Sequence, residues 1–274
     1  HVGETFSHGL PTQNILEPSE AGLQFLTYPK GAQILDQKEL SWTPTTEQLG
    51  FHEIHYRFGT RIDTSFFIYV NDPPVINSKP VENVGVGHQY AYQILSFDNN
   101  EDAVIEFFLK EGPAGINIDN YGLLLWYPTE TQLDYQRITV AISDGYNIAN
   151  QSFDIYVNSL PTILDNPAPI AIINKKYSGK LAFEDKNTPN QARVSVVKGP
   201  KDLLLEENGA LSWTPNEHQI GFHDIVYELK DVYTSQIDSF TLYVNSPPVI
   251  TSTPNSNAKV AIPWRYTARV EDKN

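Results

Sequence analysis

Hydrophobic and polar positions alternate along three segments that lie at matching places in the chain. In the segment SFFIYV, Phe66, Ile68 and Val70 alternate with Phe67 and Tyr69. A period of two places one set of side chains on a buried face of a β-strand and the other set on the opposite face. The same pattern recurs in SFDIYV and SFTLYV, where the inward residues are Phe153, Ile155, Val157, Phe240, Leu242 and Val244. Each segment is predicted to be the last strand of a repeated unit.

A β-hairpin is predicted upstream of the third of these strands, in the segment LLLEENGALSW. We expect Asn208-Gly209 to supply the positive φ angles of a tight turn, and Trp213 to point inward together with Leu211. The proline after the tryptophan then ends the hydrogen-bonded ladder. The second unit carries Asn120-Tyr121-Gly122 at the place of the turn.

A further strand is predicted after each tryptophan, in GFHEIHYRF, YQRITVAIS and GFHDIVYEL. Its inward residues are Ile54, Tyr56, Phe58, Ile138, Val140, Ile142, Ile225, Tyr227 and Leu229. No stretch shows helical periodicity. Short strands at regular spacing, separated by Gly, Pro and Asn turns, are typical of an antiparallel β-sandwich. The predicted fold class is therefore all-β, with tandem Ig-like sandwiches.

The repeat length follows from the spacing of matching phrases. Trp126 lies 84 residues after Trp42, and Trp213 lies 87 residues after Trp126. The phrases VNDPPVI, VNSLPTI and VNSPPVI are 87 residues apart and mark the boundaries between units. We predict repeats over residues 1–72, 73–159 and 160–246, and the start of a fourth over 247–274. The alignment leaves the first repeat without its first strand and the fourth incomplete, so we expect an internal segment of a longer polypeptide.

Composition excludes several classes of protein. The chain has 33 acidic against 19 basic residues, a formal net charge of −14, which disfavours nucleic acid and anionic membranes as partners. It has no cysteine, so neither disulfides nor a cysteine-based zinc site hold the fold. No apolar run is long enough to span a bilayer, so membrane insertion is not expected.

An ordered set of motifs resembles a known family. Y-x-x-x-S-F-D-N-N is followed by E-G-P-A-G, G-x-L-x-W-x-P, I-S-D-G and F-D-I-Y-V-N, and the set closes on a double proline. It resembles the tandem Ig-like repeats related to cadherins and to the cadherin-like domain of dystroglycan, which are abundant in large bacterial surface proteins. The resemblance implies an extracellular structural or adhesive role, with calcium at some domain junctions.

Acidic and amide side chains keep the register of the repeat. Asp98 and Asp185 are each followed two residues later by an asparagine, and the loops that carry them are expected to meet the linkers at one end of each sandwich. Oxygen ligands from separate segments suit calcium, and in cadherins an Asp-x-Asp, a later Asp and an Asp/Asn-rich linker are the ligands. The candidate calcium ligands are Asn71, Asp72, Asp98, Asn100, Asp144, Asn158, Asp185, Asn187 and Asp231, with Asp272 and Asn274 at the next matching positions.

The match to a calcium site is incomplete. The first repeat has Asn14 and Arg57 where the acidic residues are expected, and only the linker Asn71-Asp72 keeps a carboxylate. An alternative interpretation is that these side chains cap turns and accept backbone hydrogen bonds. The junction that enters the second repeat is the favoured site.

Other candidate chemistry has little support in the sequence. His52 and His55 are three residues apart, whereas the metalloprotease pattern needs histidines four apart on a helix. On a strand the two face opposite ways, and solvent-facing histidines are expected rather than a zinc site. No G-x-S-x-G nucleophile motif or glycine-rich phosphate loop occurs. Outward tyrosines at the boundaries, Tyr69, Tyr156 and Tyr243, are expected to cover the junctions, or to stack on sugars or anchor a partner protein.

Two functions are therefore predicted from different classes. The favoured one is a non-enzymatic segment of a cell-surface or secreted protein, which acts as a stalk, spacer, adhesin or fibre. The alternative is a module that binds carbohydrate or protein through exposed aromatic residues. The expected partners are neighbouring repeats, other copies in a filament joined by strand addition through residues 247–260, and a cell-surface protein or glycan.

Overall fold

A computed structural model of the chain describes residues 1–9, 23–36, 39–58, 62–187 and 192–274. Asn14 lies outside these residues, and so does the side chain of Phe58. The described residues contain no α-helix, and no helix that could cross a membrane was found among them. The all-β prediction is confirmed.

The chain forms two compact units, residues 1–128 with 135–156 and residues 129–134 with 157–274. The predicted repeat limits at 72, 159 and 246 therefore stay a prediction. The first unit opens with two three-stranded sheets, in the strand orders β1-β4-β3 and β2-β5-β6. Their strands are β1 Phe6–Gly9, β2 Leu23–Thr27, β3 Gln33–Leu35, β4 Glu39–Trp42, β5 Gly50–Phe58 and β6 Ile62–Val70.

Three further sheets follow, in the orders β10-β7, β11-β14-β15-β8 and β12-β13-β9. Their strands are β7 Val75–Ile76, β8 Asn83–Gly85, β9 Tyr90–Gln93, β10 Ser96–Phe97, β11 Glu106–Glu111, β12 Asn117–Ile118, β13 Leu123–Trp126, β14 Asp134–Ser143 and β15 Ile148–Asn158. The strand order around β9 and β13 repeats that around β1 and β4.

The second unit contains the same arrangement again, in the orders β16-β19, β17-β24-β23-β20 and β18-β22-β21, with a final pair β25-β26. Its strands are β16 Thr162–Asp165, β17 Ile170–Ile172, β18 Tyr177–Lys180, β19 Ala182–Glu184, β20 Arg193–Lys198, β21 Leu204–Leu205, β22 Ala210–Trp213, β23 Gly221–Lys230, β24 Ser235–Asn245, β25 Val249–Ile250 and β26 Val270–Glu271. The pairing of β17 with β24 departs from the antiparallel prediction, since these two strands run parallel.

The core of the second unit lies between two of these sheets. Leu211 and Trp213 on β22 pack against Ile225 on β23 and Leu242 on β24, and all four side chains are buried. The inward positions predicted for the last strand and for the strand after the tryptophan are therefore confirmed here. Burial of large apolar side chains between two sheets is the main stabilising contribution in a sandwich of this size.

The hairpin before Trp213 forms as predicted, but its turn is longer than the predicted two residues. Glu206 to Gly209 connect β21 to β22, and the Gly209 N–H donates to the Glu206 carbonyl oxygen at 2.8 Å. Only Gly209 has a positive φ, +87°, so the expectation for Asn208 is wrong. A Cβ at Gly209 would lie 2.1 Å from the Leu181 carbonyl oxygen, and this close approach requires glycine.

The predicted solvent exposure of His52 is also wrong. His52 has the same strand parity as the buried Ile54, so its ring faces inward and lies edge-on to Trp42 at a centroid distance of 4.9 Å. Its Nε2 lies 2.8 Å from the Gln48 carbonyl oxygen. His223 contacts Trp213 in the same way at 5.2 Å. His55 faces the other side of the strand, where it contacts Asp63.

Trp42, Trp126 and Trp213 are each followed by a single 3₁₀ turn that sets the direction of the next strand. The turns are Thr46–Gln48, Glu130–Gln132 and Glu217–Gln219. In each, the glutamine Oε1 accepts a hydrogen bond from the backbone N–H of the residue before the turn, at 3.2, 3.1 and 2.9 Å. The side chain of the residue before the turn contacts the backbone of the glutamine in return, so the two residues cap each other. This capping box satisfies a donor that would otherwise be unpaired at the turn.

Candidate functional site

The candidate site residues lie around the linkers, which we define as Asn71-Asp72, Asn158-Ser159 and Asn245-Ser246. After each linker comes a short strand that pairs with a second short strand further along the chain. In the first case Val75 pairs with Phe97, so the residues after Phe97 run back beside the residues before Val75. Antiparallel pairing therefore brings residues 98–100 next to the linker.

Asn100 holds the first linker from both sides. Its Oδ1 accepts a hydrogen bond from the Asp72 N–H at 2.8 Å, and its Nδ2 donates to the Val70 carbonyl oxygen at 2.9 Å. The side chain is buried. An amide can do this because it carries a donor and an acceptor on one planar group.

At the other two linkers an asparagine again accepts from the N–H of the second linker residue, while the acceptor for its Nδ2 differs at the third linker. Asn187 Oδ1 accepts from the Ser159 N–H at 2.6 Å, while Nδ2 donates to the Val157 carbonyl oxygen at 2.8 Å. Asn274 Oδ1 accepts from the Ser246 N–H at 2.8 Å, and its Nδ2 donates to the Ser246 carbonyl oxygen at 3.0 Å. We call Asn100, Asn187 and Asn274 the clamp asparagines.

The aspartate two residues before each clamp asparagine fixes the loop that carries it. Oδ1 of Asp98, Asp185 and Asp272 accepts from the N–H of the clamp asparagine at 2.8, 3.0 and 3.2 Å. This is the turn-capping role that the sequence left open as an alternative. It accounts for the Asp-x-Asn spacing in the second, third and fourth predicted repeats.

The first asparagine of a linker also forms a hydrogen bond with an aspartate in the loop before the last strand of the following repeat. Asn71 Nδ2 donates to Asp144 Oδ2 at 2.7 Å, and Asn158 Nδ2 donates to Asp231 Oδ2 at 2.8 Å. The other oxygen of Asp144 accepts from the Tyr146 and Asn147 N–H groups. Burial alone would raise the pKa of Asp144, but the hydrogen bonds from Asn71, Asn147 and Tyr146 outweigh it and lower this pKa below its ordinary value.

One buried carboxylate oxygen at the first junction lacks a hydrogen-bond partner, Asp98 Oδ2. Burial raises the pKa of Asp98, the Asn100 N–H opposes this, and the nearby Asp144, Asp72 and Asp102 raise the pKa further. At the second junction Asp231, the counterpart of Asp144, has both oxygens hydrogen-bonded, since Oδ2 accepts from Asn158 and Thr234 and Oδ1 from the Tyr233 and Thr234 N–H groups.

The structure thus brings the predicted site residues together in two groups. The first contains Asn71, Asp72, Asp98, Asn100 and Asp144, and the second contains Asn158, Asp185, Asn187 and Asp231. Their amides donate to backbone and carboxylate oxygens. In the part of the chain that the structure describes, no three His, Asp or Glu side chains are grouped for a metal ion. The calcium assignment stays a prediction.

The boundary tyrosines do not all face outward. Tyr156 is buried, because Tyr135 on the neighbouring strand lies edge-on to it at 5.1 Å. Tyr69 is half-buried: it stacks on Tyr146 at 5.0 Å and donates a hydrogen bond to Asp102 at 2.8 Å. Sequence analysis did not identify Asp102 or Tyr146, since nothing in the local pattern relates residues 33 and 77 positions away from Tyr69.

Exposed ion pairs also join residues near the linkers. Lys186 lies 2.9 Å from Glu130, and Lys273 lies 2.9 Å from Glu217. In each pair the lysine precedes a clamp asparagine, and the glutamate begins a 3₁₀ turn. Such exposed pairs contribute little to stability, about 0–1 kcal/mol each.

Comparison with known proteins shows a shared fold and no sequence family. No protein-family model matches the chain, and no curated protein sequence matches it. Among solved structures, the I67–I69 fragment from the I-band of titin matches at 12% identity with a TM-score of 0.54, over 90% of this chain and 94% of that one. That likeness shows the fold alone, a tandem array of Ig-like β-sandwiches.

Two further solved structures are similar over most of this chain at lower TM-scores. Extracellular domains 3–5 of Drosophila OTK match at 11% identity and a TM-score of 0.48, over 89% of this chain and 92% of that one. An endo-fucoidan hydrolase from glycoside hydrolase family 107 matches at 18% identity and a TM-score of 0.29, over 90% of this chain. The chain spans 42% of the length of that hydrolase.

Proposed function

We propose that this chain is a non-enzymatic structural segment of a cell-surface or secreted protein, in which Ig-like repeats act as a stalk or spacer. The observation that carries the proposal is the clamp asparagine, whose Oδ1 accepts from the N–H of the second linker residue at Asn100, Asn187 and Asn274. A chain of freely jointed domains has no need of such contacts. A spacer needs them, because its reach depends on how firmly each linker is held.

The resemblance to cadherin-like and dystroglycan-type repeats supports an extracellular location and an adhesive or fibre-forming role. In this proposal the partners are neighbouring repeats of the same longer chain, further copies of the chain, and a protein or glycan on a cell surface. The net charge of −14 supports the exclusion of nucleic acid as a partner.

Single-molecule extension between the two ends of the chain tests the spacer proposal. The two repeats predicted over residues 73–159 and 160–246 should unfold in separate steps. Each step should lengthen the chain by about 25–30 nm, because extended residues span about 3.3–3.6 Å each and the folded repeat already covers a few nanometres of that length. Each step should also refold when the force is released. A single step that releases both repeats at once, or extension without a resisting barrier, would contradict a spacer made of independent repeats.

Calcium is part of this proposal at the first junction only. Asp98 supplies an unpaired buried oxygen, and its neighbours Asp144 and Asp72 leave it in a negative environment that a cation would relieve. Amide and backbone oxygens also bind calcium, so Asn71 and Asn100 would complete the ligand set. When bound, the ion would supply positive charge between the linker and the loop that carries Asp98.

We expect calcium to raise the melting temperature of the chain through Asp98. For a dissociation constant of about 10⁻⁴–10⁻³ M, typical of extracellular modules, about 10 mM calcium would stabilise the first unit by about 1.4–2.7 kcal/mol. Asp98→Asn should abolish this gain, and without calcium it should be neutral or stabilising because it removes a disfavoured charge. Asp185→Asn is the matched control and should leave the calcium response intact. Calorimetry with and without chelator measures all three, and an equal response in Asp98→Asn would rule out the site.

A further inference from the structure

A cleft of about 220 Å³ lies in the first unit, beside the first linker. Three aromatic rings line it, from Phe51, Tyr69 and Tyr146, and two carboxylates, from Asp102 and Asp144. Neither the clamp asparagines nor the spacer role uses these rings. The cleft therefore needs its own explanation.

The rings present open faces. Phe51 and Tyr69 lie 4.7 Å apart between centroids with their planes inclined at 54°, and Tyr69 and Tyr146 lie 5.0 Å apart at 26°. Phe51 is 68% exposed and Tyr146 is 61% exposed. Single exposed rings are common on domain surfaces, but rings that adjoin one another in a cleft mark a binding surface, and the face of an aromatic ring attracts cations.

The polar groups of the cleft are acceptors. Asp102 accepts one hydrogen bond, from the Tyr69 hydroxyl at 2.8 Å, and its carboxylate is exposed. Burial, then the hydrogen bond to Asp102 and its charge, raise the pKa of Tyr69 to about 12, so this hydroxyl keeps its proton at neutral pH. The side-chain N–H of Asn71 already donates a hydrogen bond to Asp144. A ligand must therefore bring its own donors.

The charge around the cleft selects the ligand further. Asp102 and Asp144 line the cleft, and Asn71 and Asp144 join it to the first linker, which carries the further carboxylate of Asp72. The negative charge of these carboxylates therefore repels anionic ligands from the cleft. A guanidinium group carries several hydrogen-bond donors and a positive charge, and its plane stacks on aromatic rings. A lysine ammonium is compact and stacks on rings less well.

We propose that this cleft binds an arginine side chain of a partner protein, with the guanidinium stacked on Tyr146 and Phe51 and hydrogen-bonded to Asp102. At the equivalent positions of the next repeat, Tyr135 and Tyr156 keep a close aromatic pair at 5.1 Å. The residue 87 positions after Asp102 is Pro189, so the sequence does not repeat the acid beside that pair. Arginine recognition is therefore not expected there, and the proposal rests on neither the spacer role nor calcium.

Titration of the whole ¹⁵N-labelled chain with N-acetyl-arginine methylamide tests the proposal, in chelator so that no calcium competes for the same negative charge. We expect saturable shifts of the Tyr69, Ala103 and Tyr146 amide signals in the millimolar range, and binding of the uncharged citrulline analogue about tenfold weaker or more. Asp102→Asn and Tyr146→Ala should each weaken arginine binding about fivefold or more. Tyr121→Ala removes a ring that is 83% exposed elsewhere in the same unit and should change nothing.

Three outcomes would overturn the proposal: equal binding of arginine and citrulline, unchanged binding by Asp102→Asn, or no shift at about 50 mM ligand, well above a millimolar dissociation constant. Saturable binding of methyl glucoside but not of arginine would assign the cleft to carbohydrate instead. Both variants alter exposed side chains, so an otherwise unchanged amide spectrum would show that the fold is retained.

Discussion

Trp213→Ala should lower the free energy of unfolding of the second unit by about 3–5 kcal/mol. Trp213 is 2% exposed and lies within the core formed by residues such as Leu211, Ile225 and Leu242. Removing the indole leaves a cavity between two sheets that their backbone ladders keep from collapsing. Denaturation in urea, followed by far-UV circular dichroism, measures the loss.

Two further variants separate this effect from other roles of the ring. The Trp213 Nε1 has no hydrogen-bond partner, so Trp213→Phe removes volume but no bond and should cost clearly less than the change to alanine. Phe222→Ala removes a ring that is 79% exposed and should change stability by less than about 0.5 kcal/mol. A loss below about 1 kcal/mol for Trp213→Ala would mean that the tryptophan is not a core residue.

Asn187→Ala should destabilise the second unit by about 2–4 kcal/mol, because it leaves two buried backbone groups without partners at about 1–3 kcal/mol each. These groups are the Ser159 N–H and the Val157 carbonyl, which bond to the Asn187 side chain at 2.6 and 2.8 Å. Asn187 also donates to Asp134 Oδ1 at 3.0 Å. Urea denaturation measures the change in the same way.

Asn187→Asp provides a sharper test of the clamp. It keeps the acceptor for Ser159 but replaces the donor with a carboxylate oxygen that faces the Val157 carbonyl and Asp134. We therefore expect a loss at least as large as that of Asn187→Ala. Lys186→Ala is the matched control, since the neighbouring exposed ion pair with Glu130 should contribute at most about 1 kcal/mol. Equal losses for Lys186→Ala and Asn187→Ala would contradict the clamp.

The strands could be predicted from sequence because their signals are local. Alternation in segments such as 240–244 reports which face is buried, and Trp42, Trp126 and Trp213 each mark the end of a strand. His52 could have been placed inward by the same rule, since it shares the parity of Ile54. The expectation that strand histidines face solvent is wrong for His52, and strand parity is the better guide.

The chemistry of the junctions could be located but not identified. The Asp-x-Asn pattern with a period of 87 residues marks the loops that contact the linkers. Whether Asn100 binds a metal ion or the backbone depends on where the Asp72 N–H and the Val70 carbonyl lie, and only tertiary structure fixes this. The contact between Tyr69 and Asp102 has no sequence signal for the same reason.

Amide hydrogen exchange of the linker residues tests most directly whether the clamp asparagines hold the linkers. In the unaltered chain the Asp72 and Ser159 N–H groups, each bonded to a clamp asparagine, should be protected to a degree comparable with the core strands. In Asn187→Ala, Ser159 should lose that protection while Asp72 keeps it. Exchange of Ser159 at the rate of an unstructured peptide in the unaltered chain, or unchanged protection in Asn187→Ala, would contradict a clamped linker.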